Sequence, residues 1–86
     1  MIARIRYKKV DNTLESIRNI VTPRGCVYHV VLDLDTMTFN IKNLVSKRVY
    51  SGGENINNLH VLKRSVKSRL KKLGVQFKSE IREVNN

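Results

Sequence analysis

Apolar and polar residues alternate over the first ten positions, which is the pattern of a β-strand with one buried face. The two faces are formed by Ala3, Ile5 and Tyr7 on one side and by Arg4, Arg6 and Lys8 on the other. β-branched and aromatic residues are common in strands, and the polar pair Asp11 and Asn12 ends the pattern. We therefore expect a strand over residues 1–10 with a basic outer face.

Residues 13–21 fit two structures. Their apolar positions lie at helical spacing, and Asn12 with Glu15 forms the capping box typical of a helix N-terminus. A second strand is the alternative, because nine residues do not distinguish helix from strand by periodicity. We expect a short N-terminal helix and keep the strand as the alternative. A turn follows at residues 22–25, where Pro23 and Gly25 supply turn conformations.

The clearest strand covers residues 26–34, whose nearly continuous apolar run predicts a central position in a sheet. After a tight connection, residues 38–42 return with Phe39 and Ile41 on one face, which indicates a hairpin. Residues 48–50 predict a third short strand after a turn around Ser46 and Lys47. Residues 51–54, which include two glycines, end the strand pattern.

Residues 56–73 form the longest periodic segment and predict an amphipathic helix. Its apolar stripe recurs at spacings of three and four and consists of Leu59, Leu62, Val66, Leu70 and Leu73. Asn55, Asn57 or Asn58 is the expected N-cap, Gly74 has the position of a left-handed C-cap, and Val75 is the apolar contact that accompanies it. Residues 75–82 then alternate and predict a last strand, which pairs beside the first.

Together these elements predict an α+β fold. A small antiparallel sheet of three to five strands packs against one long C-terminal basic amphipathic helix. We expect residues 1–86 to form a single compact domain, because 86 residues is less than the usual allotment of about 100 to 200 per domain.

The predicted order of helix, three strands and basic helix resembles that of a double-stranded RNA-binding domain in topology alone. Lys63, Arg64 and Lys67 lie further into the helix than that family's lysine motif. The predicted strands at both ends of the chain also do not belong to the family. The chain is therefore not assigned to it.

The chain is strongly basic, with 17 lysine and arginine residues against 7 acidic ones and a net charge of +10. A hydrophobic content of 41% is too high for a disordered basic tail. No apolar run approaches the roughly 18 residues that cross a bilayer. The single cysteine, Cys26, has no partner for an internal disulfide, so we expect a reducing, cytoplasmic location. The charge indicates a polyanionic partner.

Most of this charge lies in one window. Residues 55–79 contain seven cations and no acidic residue, so they account for +7 of the total. Lys63, Lys67 and Lys71 are like-charged neighbours at i, i+4 spacing, and such pairs destabilise an isolated helix. We infer that a partner supplies the counter-charge, and phosphate groups are the expected source.

This pattern predicts a nucleic-acid interface, with duplex DNA favoured over RNA. The main phosphate contacts are expected from Lys63, Arg64, Lys67, Lys71 and Lys72, and a secondary set from Arg4, Arg6, Arg24 and Arg48. If the first strand is an edge, its cations have an alternative use in preventing edge-to-edge aggregation. The abundance of Asn, Ile and Lys, which have AT-rich codons, favours a small accessory or regulatory factor of phage or mobile-element type.

The alternative function is that of a protein-binding module or inhibitor. Such a protein would dock its basic helix on an acidic protein surface or in a nucleic-acid channel. The aromatic residues are expected in the core rather than as stacking platforms for bases. They are Tyr7, Tyr28, Phe39, Tyr50 and Phe77.

No enzymatic activity, cofactor or metal is expected. Asp33 and Asp35 are the one carboxylate pair that could hold a divalent cation, but aspartate is also expected at the entry to a tight turn. His29 and His60 show no catalytic spacing to Cys26 or to a carboxylate. The pair of glycines at 52–53 matches an anion-binding loop only in being glycine-rich and ahead of a helix.

Overall fold

The computed structural model describes residues 4–53 and 55–77 and shows an α+β fold with one antiparallel sheet and one helix. The elements are β1 (Tyr7–Val10), β2 (Thr13–Ser16), β3 (Ile20–Val21), β4 (Val27–Asp33), β5 (Thr38–Asn43), β6 (Val49–Gly52) and α1 (Leu59–Lys72). The strand order is β1-β2-β4-β5-β6, and β3 also pairs with β4. Within these residues the sheet thus has six strands rather than three to five, and the helix lies in mid-chain.

The predicted short helix over residues 13–21 is wrong, and the strand alternative is correct. Val10 pairs with Thr13 across a two-residue turn, and Asp11 adopts a left-handed conformation with φ 53°. Asp and Asn tolerate this conformation better than other non-glycine residues. Asn12 therefore belongs to a hairpin turn and caps no helix. Without that helix, the element order no longer resembles a double-stranded RNA-binding domain.

Strand β4 is central, as predicted, because it pairs with β5 on one side and with both β2 and β3 on the other. Its residues Val31–Asp33 pair with β2, whereas Val27 and Tyr28 pair with β3. Between these two pairings, the backbone N–H of Val30 donates to Ser16 Oγ at 3.0 Å. Ser16 is only 2% exposed. Its hydroxyl oxygen therefore takes the place of a backbone carbonyl as the acceptor for the N–H of Val30.

The core lies between one face of the sheet and α1. Tyr28, Val30 and Leu32 of β4 and Phe39 and Ile41 of β5 are buried on that face. The helix contributes the predicted apolar stripe: its three central members are fully buried and its two ends are partly buried. The aromatic residues contact this core, which confirms their predicted placement.

Both ends of α1 carry predicted caps, although the helix is shorter than predicted. Asn58 Oδ1 accepts hydrogen bonds from the N–H groups of His60 and Val61, so the helix begins after it. At the other end, Gly74 has φ +101°, and the N–H of Val75 donates to the carbonyl of Leu70 at 2.9 Å. Val75 is buried, which completes a Schellman motif.

The two glycines at 52–53 serve packing. Gly52 belongs to β6, so the strand pattern does not end at Ser51 as predicted. A Cβ atom on Gly52 would lie 2.5 Å from Cζ of Phe39, and one on Gly53 would lie 2.7 Å from the carbonyl oxygen of Met37. The helix begins only at Leu59, so these glycines do not form an anion-binding helix entrance.

The structure describes part of each of the two predicted terminal strands. Val75 and Phe77 are buried and Gln76 is exposed, which matches the predicted alternation. The rest of that predicted strand, residues 78–82, lies outside the described residues, as do residues 1–3 of the predicted first strand. Within the described part of the chain, no helix is long and apolar enough to cross a membrane.

Replacing Ser16 with alanine tests its place in the sheet. Ser16→Ala leaves the N–H of Val30 buried without an acceptor, so we expect the free energy of unfolding to fall by about 1–3 kcal/mol. Urea denaturation measures this loss. Ser68→Ala on the exposed face of α1 is the control and should leave stability unchanged or slightly higher. Equal stability of the two variants would contradict the assignment.

Candidate nucleic-acid interface

The basic residues of α1 lie on both flanks of its buried stripe. On one flank, Lys63 Nζ lies 5.5 Å from the ring centre of Tyr7. On the same flank, Lys67 Nζ lies 5.1 Å from the ring centre of Phe77. On the opposite flank, Arg69 Cζ lies 5.6 Å from the ring centre of Tyr50 in β6. Lys63 and Lys67, which belong to the predicted phosphate contacts, thus lie on the Tyr7 side of the helix, whereas Arg69, which does not belong to them, lies on the β6 side.

A cleft of about 180 Å³, here called the helix cleft, separates the first flank of α1 from the N-terminal segment. Its lining consists of Arg4, Ile5, Tyr7, His60, Lys63, Arg64, Lys67 and Phe77. Ile5 and Tyr7 pack against the core and thereby hold Arg4 beside the helix. The cleft therefore joins members of both predicted sets, although about sixty residues separate them in the sequence.

A second cavity, here called the N-terminal groove, has a volume of about 650 Å³. Its lining consists of Arg4, Ile5, Arg6, Ile17, Arg18, Asn19, Ile20 and Val21. Arg4 and Ile5 line both cavities, so the two are adjacent. Arg18 is not among the predicted site residues, because the predicted helix over residues 13–21 gave it no relation to Arg4 and Arg6.

Four other predicted site residues line neither cavity. Lys71 and Lys72 are exposed in the last turn of α1, Arg24 in the turn after β3, and Arg48 just before β6. The structure does not bring Arg24 or Arg48 to the helix cleft. Within the described residues, β1 stands at one end of the strand order, so protection of a sheet edge stays an alternative prediction for its cations.

Three of the four acidic residues in the described segments lie in two neighbouring turns, and the fourth, Glu15, lies in β2 beside His29. Asp11 lies in the β1–β2 turn, and Asp33 and Asp35 lie around the β4–β5 turn. The N–H of Leu34 donates to the carbonyl of Asn12 at 3.0 Å, which holds these two turns together. They meet at the end of β1 opposite Arg4 and Arg6. The acidic turns are therefore separated from Arg4 and Arg6 by the length of β1, whose Lys8 pairs with Glu15 of β2.

The carboxylates around the β4–β5 turn stabilise that turn. Asp33 Oδ1 accepts hydrogen bonds from the N–H groups of Asp35 and Thr36, at 2.9 and 3.2 Å. This is the local role expected of an aspartate at a turn. In residues 4–53 and 55–77, no group of three or more potential ligands is arranged to hold a metal ion.

His29 lies between a serine and a glutamate. Its Nδ1 is 3.3 Å from Ser16 Oγ, and its Nε2 is 3.2 Å from Glu15 Oε1. A serine, histidine and carboxylate in line can activate a nucleophile when the hydroxyl reaches the substrate. Ser16 is buried, and its Oγ already accepts the N–H of Val30. The arrangement is therefore a structural hydrogen-bond network.

Tyr7 of β1 lies in the helix cleft, where its ring is partly buried against the core. Burial raises the pKa of its hydroxyl to about 12, because the ionised form is poorly solvated there. The unfolded chain has a tyrosine pKa of about 10. The contribution of Tyr7 to stability is thus complete below pH 10 and is lost as the pH rises through 12.

Tyr7→Phe tests this burial. Phenylalanine keeps the ring beneath Lys63 but has no ionisable hydroxyl. We expect the wild-type protein to lose more stability than Tyr7→Phe between pH 10 and 12, as measured by urea denaturation. Absorbance titration should show one tyrosine ionisation near pH 12 in the wild-type protein that is absent from Tyr7→Phe. Parallel loss of stability in the two proteins would contradict a buried Tyr7 hydroxyl.

Comparison with known proteins gives no assignment. No protein-family model, no curated protein and no solved structure matches the chain.

Proposed function

We propose that this protein is a non-catalytic nucleic-acid-binding protein that contacts the phosphate backbone through the helix cleft and the adjoining face of α1. The convergence of Arg4 with Lys63, Arg64 and Lys67 carries this proposal. All the described residues that line the cleft are basic, aromatic or apolar. Phosphate oxygens are the usual acceptors for such clusters of lysine and arginine.

The placement of the cations supports contact with a regular backbone. Lys63, Arg64, Lys71 and Lys72 are exposed on a helix of 14 residues. At a rise of about 1.5 Å per residue, this helix is about 21 Å long. A helix of this kind fits the major groove of B-DNA, which is about 12 Å wide, or lies along the phosphates at its rim. Several phosphates of one duplex are then within reach.

The aromatic residues support phosphate contact rather than base stacking. Lys63 covers the ring of Tyr7, and Phe77 is only 1% exposed. Proteins that stack bases present open aromatic faces. The Tyr7 ring orients the Lys63 ammonium group without cancelling its charge, as a carboxylate would. Phosphate contact without base stacking favours a duplex over a single strand at this site. Because a helix enters the wide major groove of B-DNA but not the narrow one of duplex RNA, duplex DNA is preferred, with RNA as the second ligand to be tested.

In this proposal the protein is a small accessory or regulatory factor of phage or mobile-element type. The abundance of Asn, Ile and Lys, which have AT-rich codons, supports that setting. Docking on an acidic protein surface would use the same cations. Direct binding measurements with nucleic acids separate these two functions.

The salt dependence of binding is the first test. Engagement of about six phosphates predicts a slope near −5 in a plot of log affinity against log salt. Raising the salt from 50 to 200 mM should then weaken binding about 10³-fold. Fluorescence anisotropy with random-sequence duplex DNA and RNA measures both quantities. If neither ligand binds at 50 mM salt, an acidic protein becomes the better candidate partner.

Charge reversal locates the interface. Lys63→Glu with Arg64→Glu should reduce the salt slope by about 2, because each phosphate that the protein no longer neutralises lowers the slope by about 1. The matched control is Lys42→Glu with Lys47→Glu, since both positions are exposed and line neither cavity. Both double variants change the net charge by the same amount, so only location differs. Equal loss of affinity in the two variants would contradict the proposed face.

A further inference from the structure

The N-terminal groove is formed by two chain segments that the sheet holds in place. One wall is the segment before β1, and the other consists of residues 17–21. The N–H of Ile17 donates to the carbonyl of Arg6 at 2.9 Å, which ties the two walls together. Ile20 pairs with Tyr28 of β4 and is only 4% exposed. The groove is therefore part of the folded sheet and needs no ligand to form.

The lining of this groove combines positive charge with exposed aliphatic surface. Arg4, Arg6 and Arg18 are exposed, and the described lining contains no carboxylate. Ile17 and Val21 are 53% and 58% exposed, which leaves apolar side chains open beside the arginines. Asn19 adds an amide that can donate and accept hydrogen bonds. A ligand that satisfies all three features has anionic, apolar and hydrogen-bonding parts.

A polynucleotide strand has all three parts, since phosphates alternate with sugars and bases along it. The volume of the groove lies within the range of about 300–1,000 Å³ that is usual for small ligands. A duplex, whose helical turn is about 34 Å long, is too large to enter it. An unpaired strand can enter, because its bases are separated from any partner and contact protein surfaces directly.

We infer that the N-terminal groove binds a single strand of nucleic acid that continues from a duplex bound at the helix cleft. The preferred ligand would then be a duplex with a single-stranded end. Arg4 lines both cavities, whereas Arg18 lines the N-terminal groove and not the helix cleft. This inference rests on the proposed function, because it extends the same interface and names its ligand more closely.

Binding to three labelled ligands tests this inference by fluorescence anisotropy. The ligands are a blunt duplex, the same duplex with a four-nucleotide overhang, and the single strand alone, each made as DNA and as RNA. For the wild-type protein we expect the overhang to tighten binding about tenfold over the blunt duplex, equal to about 1.4 kcal/mol. The DNA and RNA versions show which sugar the groove accepts.

Arg18→Glu is the decisive variant. It should remove the preference for the overhang and leave affinity for the blunt duplex within about twofold, because Arg18 lines the groove but not the helix cleft. Lys42→Glu is the matched control: it makes the same charge change at an exposed position of β5 that lines neither cavity, and it should keep the preference. Circular dichroism confirms that both variants are folded.

Two results would overturn the inference while leaving the proposed function in place. One is a wild-type protein that binds blunt and overhanging duplexes equally. The other is an Arg18→Glu variant that loses affinity for both ligands in the same proportion, which would show only a general effect of charge. If the wild-type protein binds no nucleic acid in any form, both the inference and the proposed function fail.

Discussion

The pairing of β4 with three neighbours is the constraint on which the rest of the structure depends. β5 occupies one edge of β4, and β2 and β3 share the other. Because β2 leaves β4 at Ser16 and β3 joins it at Ile20, the residues between them must leave the sheet. The N–H of Val30, which has no strand partner at this point, donates to the buried hydroxyl of Ser16. The loop that carries Arg18 is a direct result.

The position of the basic residues depends on how α1 packs against the core face of the sheet. Burial of the apolar stripe of α1 fixes the rotation of the helix, and this rotation directs Lys63 and Lys67 toward Tyr7 and Phe77. The packing of Ile5 and Tyr7 brings Arg4 to the same place. The acidic turns lie at the opposite end of β1. Most of the net charge lies in residues 55–79, but the convergence of Arg4 with Lys63 and Lys67 is a consequence of packing.

Much of this architecture could be predicted from local patterns. The run of apolar residues in β4, the stripe of α1 and the cap at Gly74 each reflect interactions within a few residues. Residues 13–21 could not be assigned, since helical spacing competed with a hairpin whose stability comes from distant β4. Because of that wrong assignment, Arg18 was not predicted to lie near Arg4 and Arg6. The cations of α1 could be named as candidates, but their division between two flanks depends on which aromatic rings lie beside the helix.

The central claim is that Arg4, Arg18 and the Lys63 flank of α1 form one continuous surface for nucleic acid. NMR titration of the protein with a duplex that has a single-stranded end tests it most directly. The account predicts that the amide signals of residues 4–6, 17–19 and 63–67 shift together at one affinity. The acidic β1–β2 and β4–β5 turns should not shift. Shifts centred on those turns, or on the face of the sheet opposite α1, would contradict the account.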